Sequence, residues 1–150
     1  SLIYKMQDFH KVSEFWPIYQ RTSVHFGDVN VIQTAEGTVG EFPFPAPVFV
    51  LTAANPMSVP LPDEENALRN SLLVAQLTRD GLQFMNCVGR ADDWQEAGFL
   101  LHGDVTEDQA RHYGRCHGQK AIFRIDEKSI SVIDCVSGFR TDAGWVIEKA

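Results

Sequence analysis

Apolar residues recur at two periods along the chain, and each change of period marks an element. Phe9, Val12, Phe15 and Trp16 fall at helical spacing and predict a helix over residues 7–19, ended or kinked by Pro17. β-Branched residues on either side of Gly27-Asp28 predict a hairpin over residues 22–34. The segment FPFPAP, residues 42–47, has proline at every second position; it is expected to be extended and outside any central strand. The apolar run VFVLTA, residues 48–53, has the pattern of a strand covered on both faces.

A helix is expected to follow Pro60 and Pro62, opened by Asp63-Glu64-Glu65 and closed at Gly81. Leu68, Leu72 and Ala75 form one stripe on it, while Asn66, Asn70, Leu73 and Leu77 form a second. Two asparagines thus continue an apolar face, where a solvated surface more often carries Lys or Glu. Strands are expected at 82–88, 96–102, 120–126 and 130–135, with a last one around Trp145-Val146-Ile147. Residues 89–95 read as a turn between the first two. A capping box, Thr106 to Gln109, opens a helix with Ala110, Tyr113 and His117 on one side, and Gly118 ends it.

From residue 48 the order is β-α-β-β-α-β. It predicts an α+β fold, a ferredoxin-like split βαβ sandwich with an N-terminal helix and hairpin and extra C-terminal strands. A single domain over residues 1–150 is expected, with its core at about 48–126, the helix and hairpin at 7–34 and strand additions at 130–150.

Charge then narrows the partners. Thirteen Lys and Arg against 20 Asp and Glu leave a formal net charge of −7, which argues against a broad nucleic-acid footprint. The cysteines, Cys87, Cys116 and Cys135, are odd in number and lack CxxC spacing, so a reducing compartment is expected. No apolar run approaches the roughly 20 residues of a membrane span, and no signal-peptide pattern is visible. The expectation is a cytoplasmic protein without membrane contact. His112 and Cys116 stand at ligand spacing, but no second pair accompanies them, so neither a metal nor a cofactor is expected. No phosphate-binding glycine loop and no GxSxG elbow occurs.

The expected topology brings distant polar residues to one pole, above the end of the 48–53 strand. Asn55, Ser58, Asn66 and Asn70 arrive first, then Arg90, Trp94 and Glu96, then Gln119. Glu96, at a strand start beside Trp94, is the candidate general acid or base; its structural alternative is pairing with Arg90 or backbone amides. The amides and hydroxyl suit recognition of a base edge, peptide or sugar. For Asn55 an Asx-turn before Pro56 is the structural alternative.

The same residues carry a resemblance. Thr52-Ala53-Ala54-Asn55-Pro56, the pair Asn66 and Asn70, Gly89 with Trp94-Gln95-Glu96, and Gly118-Gln119-Lys120-Ala121 occur in that order. The set resembles a small bacterial family known as a domain of unknown function, over about residues 19–123. Where that family favours an aromatic before Gly-Gln, this chain has His117. The resemblance implies no activity. The residues themselves point to a small-molecule or nucleotide site at this pole, with Glu96 acid–base chemistry; a non-catalytic acidic interaction protein is the alternative.

Overall fold

The computed structural model describes residues 14–149. A helical segment, α1 (residues 14–20), leads into the hairpin of β1 (Ser23–Phe26) and β2 (Val29–Thr34). β3 (Val48–Leu51) is followed by a 3-10 turn (Pro56–Ser58) and α2 (Asp63–Arg79). Then come β4 (Gln83–Ala91), β5 (Trp94–His102), α3 (Glu107–Cys116), β6 (Ala121–Ile125), β7 (Ile130–Asp134) and β8 (Arg140–Lys149).

These strands form a closed antiparallel barrel in the order β1-β2-β8-β7-β6-β3-β5-β4, with β4 returning to β1. The ferredoxin-like sandwich expected from the element order is therefore overturned. The N-terminal hairpin and the C-terminal strands are not additions to the edges of an open sheet. β1 bonds β4 through Ser23↔Arg90, Val24↔Gly89 and His25↔Val88, and β2 bonds β8 over six residue pairs. The physical reason is that the β6-β3-β5-β4 half has two apolar faces. Helices cover one; the other, with Val48, Val50 and Leu100, is covered by the remaining strands curling over it, which also removes every sheet edge.

Two cores result. Outside the barrel, Leu73 and Leu77 of α2 and Ala110 and Tyr113 of α3 pack on Phe49, Leu51, Phe99, Leu101, Ile122 and Ile133. Inside it, Val24, Val31, Val50, Cys87, Leu100, Ile125 and Trp145 fill the lower half. Alternation along β3 assigns Phe49 and Leu51 to the first core and Val48 and Val50 to the second, so the continuous apolar run is buried on both sides. The FPFPAP segment places Phe42 and Phe44 against Phe26, with Phe42 also on Trp145 and Phe44 stacked on His102 at 4.9 Å, closing the lower end.

Other expectations need local correction. Phe9 and Val12 lie outside the described residues, and the helix continues past Pro17 to residue 20, because a proline disturbs the turn before it and leaves the residues after it their amide donors. The 89–95 turn contracts to Asp92-Asp93, so the nine-residue strands β4 and β5 pair Gly89 with Glu96 and Arg90 with Gln95. On α2 it is the asparagine stripe that faces the barrel. Leu68 and Leu72 are 63% and 59% exposed. Phe99 lies under the helices, whereas Phe123 packs against the interior core.

Candidate functional site at the barrel mouth

The upper half of the barrel interior is polar and incompletely filled. The strands put small residues there: Gly89, Gly98 and Ala121, with Thr22 and Thr52. They leave an inner chamber of about 60 Å³ whose walls include Cys87, Phe123 and Glu96. Above it lies a wider outer cleft of about 410 Å³ between α1, the 3-10 turn and the β4–β5 tip, lined by Phe15, Ile18, Pro60 and Asp92-Asp93. Tyr19, Asn55, Ser58 and Trp94 line both spaces and form the neck between them. The outer cleft has the volume of a small-molecule site, roughly 300–1,000 Å³; the inner chamber has room for a single functional group.

Glu96 is the acid of the inner chamber. Burial lifts its carboxyl from an ordinary 4.5 to about 7, against the opposing effect of a hydrogen bond from Asn55. That bond, Asn55 Nδ2 to Glu96 Oε2, measures 2.8 Å. It replaces the pairing with Arg90: the Arg90 side chain is exposed and donates to Gln95 Oε1 at 3.2 Å. No Lys, Arg or His lines the inner chamber among the described residues.

Asn55 is the hub of the neck. Its Oδ1 accepts from Asn66 Nδ2 at 2.7 Å and from the Leu61 amide at 2.9 Å, while its own amide donates to Asn66 Oδ1 at 2.8 Å. With both lone pairs of Oδ1 used, the amide nitrogen is forced to point at Glu96. Asn55 sits in the left-handed region with φ 46°, as do Met57 and Ser58 with φ 57° and 61°. Such backbone costs about 1–2 kcal/mol per non-glycine residue and persists only where its surroundings impose it. Here the impositions include the Met57 amide bonding Gly118 O at 2.8 Å. Gly118, at φ +70°, is needed too: a Cβ there would stand 2.9 Å from Pro56 Cβ.

The strained turn delivers Ser58 Oγ to Tyr19 OH at 2.8 Å. Burial holds the Tyr19 phenol above its usual range; the Ser58 contact opposes this and the field of Glu96 adds to it. α1 is itself tied down across the mouth. Trp16 Nε1 donates to Thr141 Oγ1 at 2.9 Å, and the Arg21 guanidinium bonds Asp92 at 2.9 Å.

The structure thus divides the sequence candidates. Asn55, Ser58, Trp94, Glu96 and Gln119 line the inner chamber, with Gln119 Nε2 donating to Ala54 O at 2.9 Å. Asn66 and Asn70 lie behind it and serve as positioning residues. Asn70 Oδ1 accepts from the Ala53 amide at 2.9 Å and its Nδ2 donates to Ala97 O at 3.1 Å. Arg90 lies outside. Sequence reasoning missed Tyr19, Thr22, Thr52 and Phe123. For Tyr19 and Thr22 a signal existed: both stand in the stretch where the family resemblance begins.

Residues 51–122 match the family model DUF3293, described as a protein of unknown function. The DUF3293 segment runs from the end of β3 to the start of β6. It contains Asn55, Ser58, Asn66, Asn70, Trp94, Glu96 and Gln119, and excludes Tyr19 and the strands that close the barrel. No curated protein and no solved structure matches the chain. Among the described residues, no helix is long and apolar enough to cross a membrane.

Proposed function

We propose that the barrel mouth binds a small molecule, its body in the outer cleft and one hydrogen-bonding group in the inner chamber against Glu96. One observation carries this reading: a half-buried carboxyl group stands at the base of a ligand-sized cleft, held among the described residues by a single asparagine whose own bonds fix its orientation. A buried acid without a cation beside it is costly unless it serves a ligand or the reaction. A carboxyl titrating near neutrality also suits proton transfer, so the same chamber fits acid–base chemistry on the molecule it holds. A nucleotide fits less well, because Asp92 and Asp93 line the outer cleft and, among the described residues, no cation lines the inner chamber to meet phosphates. The three free cysteines accord with a cytoplasmic location.

The test is a fragment screen read by amide chemical shifts, on the wild type and Gly89→Ala. A Cβ at Gly89 meets only Thr22 Cγ2 at 3.5 Å and Glu96 O at 3.9 Å, so this variant is expected to fold while narrowing the chamber. Binders should shift Tyr19, Asn55, Ser58 and Trp94 and weaken in Gly89→Ala. Shifts elsewhere, or binding indifferent to the substitution, would remove the reading. The second reading, a protein-interaction module, draws on Leu68 and Leu72, exposed on the outer face of α2. It is favoured if a partner perturbs that face and the mouth stays silent.

A further inference from the structure

We infer that the group entering the inner chamber is a protonated amine, so that the ligand is a small ammonium compound with an apolar body. The inference rests on the proposed small-molecule site and gives its ligand a charge and a shape.

The chamber is rich in acceptors and poor in positive charge. Glu96 Oε2 takes the Asn55 bond, and Oε1 has no hydrogen-bond partner among the described residues. The Tyr19 and Ser58 hydroxyls face the same space, each with lone pairs to offer. An ammonium carries three donors and no acceptor, the complement of such a wall. The aromatic lining is Tyr19, Trp94 and Phe123, and ring faces attract cations most strongly where water is excluded. The volume of about 60 Å³ suits a compact head group.

The surroundings agree in sign. Phe15, Ile18 and Pro60 offer the outer cleft an apolar wall, with Asp92 and Asp93 at the β4–β5 tip. Asp92 is matched by Arg21, which leaves the Asp93 charge facing an incoming ligand. Lys120 holds its Nζ 4.9 Å from the Phe15 ring centroid and lines neither space. The net charge of −7 favours the approach of cations over anions.

Binding should then follow the ionisation of Glu96. Cys87, pushed up to about 12 by burial, and Tyr19, raised by burial, stay neutral across the range in which Glu96 titrates. Asp92 is held low by Arg21 and stays charged. Arg90 points outward, and Arg69 is occupied with the Ala53 and His117 carbonyls. Ammonium affinity should fall about tenfold per pH unit on going below about 7.

The experiment titrates the whole chain with three matched probes, 2-phenylethylammonium, 2-phenylethanol and phenylacetate, followed by calorimetry and amide shifts at several pH values. The ammonium is expected to bind at least tenfold more tightly than the alcohol above neutrality, and phenylacetate to bind weakest. Glu96→Gln should erase the ammonium preference and keep the alcohol. The wild-type discrimination and pH series stand whether or not that variant folds. Equal binding of ammonium and alcohol, or a pH-independent ammonium affinity, overturns the inference and leaves the small-molecule site standing. Tighter phenylacetate binding overturns it in favour of an anionic ligand. Silence of all three probes at millimolar concentration overturns it as well, and the fragment screen then decides whether the site falls with it.

Discussion

Glu96 couples the mouth to the stability of the whole protein. Its native carboxyl keeps a proton up to about pH 7, whereas the ordinary carboxyl of the unfolded chain loses it near 4.5. Between those values the native state binds more protons, so stability should fall as pH rises, by about 3 kcal/mol across the window. Asp92 and Asp126, whose carboxyls are held below the usual range, are charged throughout and add no slope there. His117, held below its usual 6.5 by burial and by Arg69, contributes a slope of opposite sign in the same window. Urea denaturation at about pH 5 and pH 8 therefore reads the Glu96 part as the difference between wild type and Glu96→Gln, the wild type losing more, or gaining less, as pH rises. The same pH response in both proteins would mean that Glu96 is ordinarily solvated. At this scale much was legible. A glutamate starting an apolar strand, and asparagines continuing an apolar helix face, break their local patterns. Tyr19 breaks none: a tyrosine at a helix end is unremarkable until Ser58, 39 residues away, is brought to its hydroxyl.

At the scale of elements, α2 carries the clearest lesson. Two stripes were visible in its sequence, and only packing could say which faced inward. The answer follows from what each stripe satisfies. Leu73 and Leu77 fill the outer core, while Asn66 and Asn70 reach backbone groups at the end of β3 that have no strand partner. Asn70→Ala leaves the buried Ala53 amide without its acceptor and should cost about 1–3 kcal/mol. Leu68→Gln, on the exposed stripe, should stay within about 0.5 kcal/mol. Denaturant midpoints of the two variants decide it; equal losses would mean that both stripes are packed. The β4–β5 hairpin shows the opposite case. Its sequence looked like a loop because Gly, Arg and two Asp crowd together. The two-residue turn at Asp92-Asp93, with Asp92 at φ 54°, instead lets both strands run to the rim. That extension puts Gly89 opposite Glu96 and makes the chamber.

At the scale of the molecule, closure decides what can fold alone. An open sandwich would allow residues 48–126 to stand as an independent core. In the barrel, that fragment loses Val24, Val31, Ile130 and Trp145 from the interior and bares the edges of β4 and β6. The expressed fragment should lack a cooperative thermal transition and associate through those edges. A monomeric fragment that melts cooperatively would show that the closing strands are dispensable. The DUF3293 segment lies within this fragment and holds most of the mouth's polar residues, yet its neck needs Tyr19 from outside it.

What the sequence determined by itself was local: the order and type of the elements, which strand is buried on both faces, the capping box at Thr106, and which polar residues sit where apolar ones were due. These follow from periodicity and backbone chemistry, which act over a few residues. It also indicated that Asn55, Ser58, Glu96 and Gln119 share a pole, because antiparallel neighbours alternate in direction around a barrel as they do in an open sheet. Only the tertiary structure decided that β1 closes on β4, because a strand edge bonds any partner of suitable register and carries no address in its own residues. Closure in turn decided that the pole is a mouth with an inside. It buried Glu96 deeply enough to shift its proton, turned Asn66 and Asn70 into supports, and left Arg90 on the outer wall.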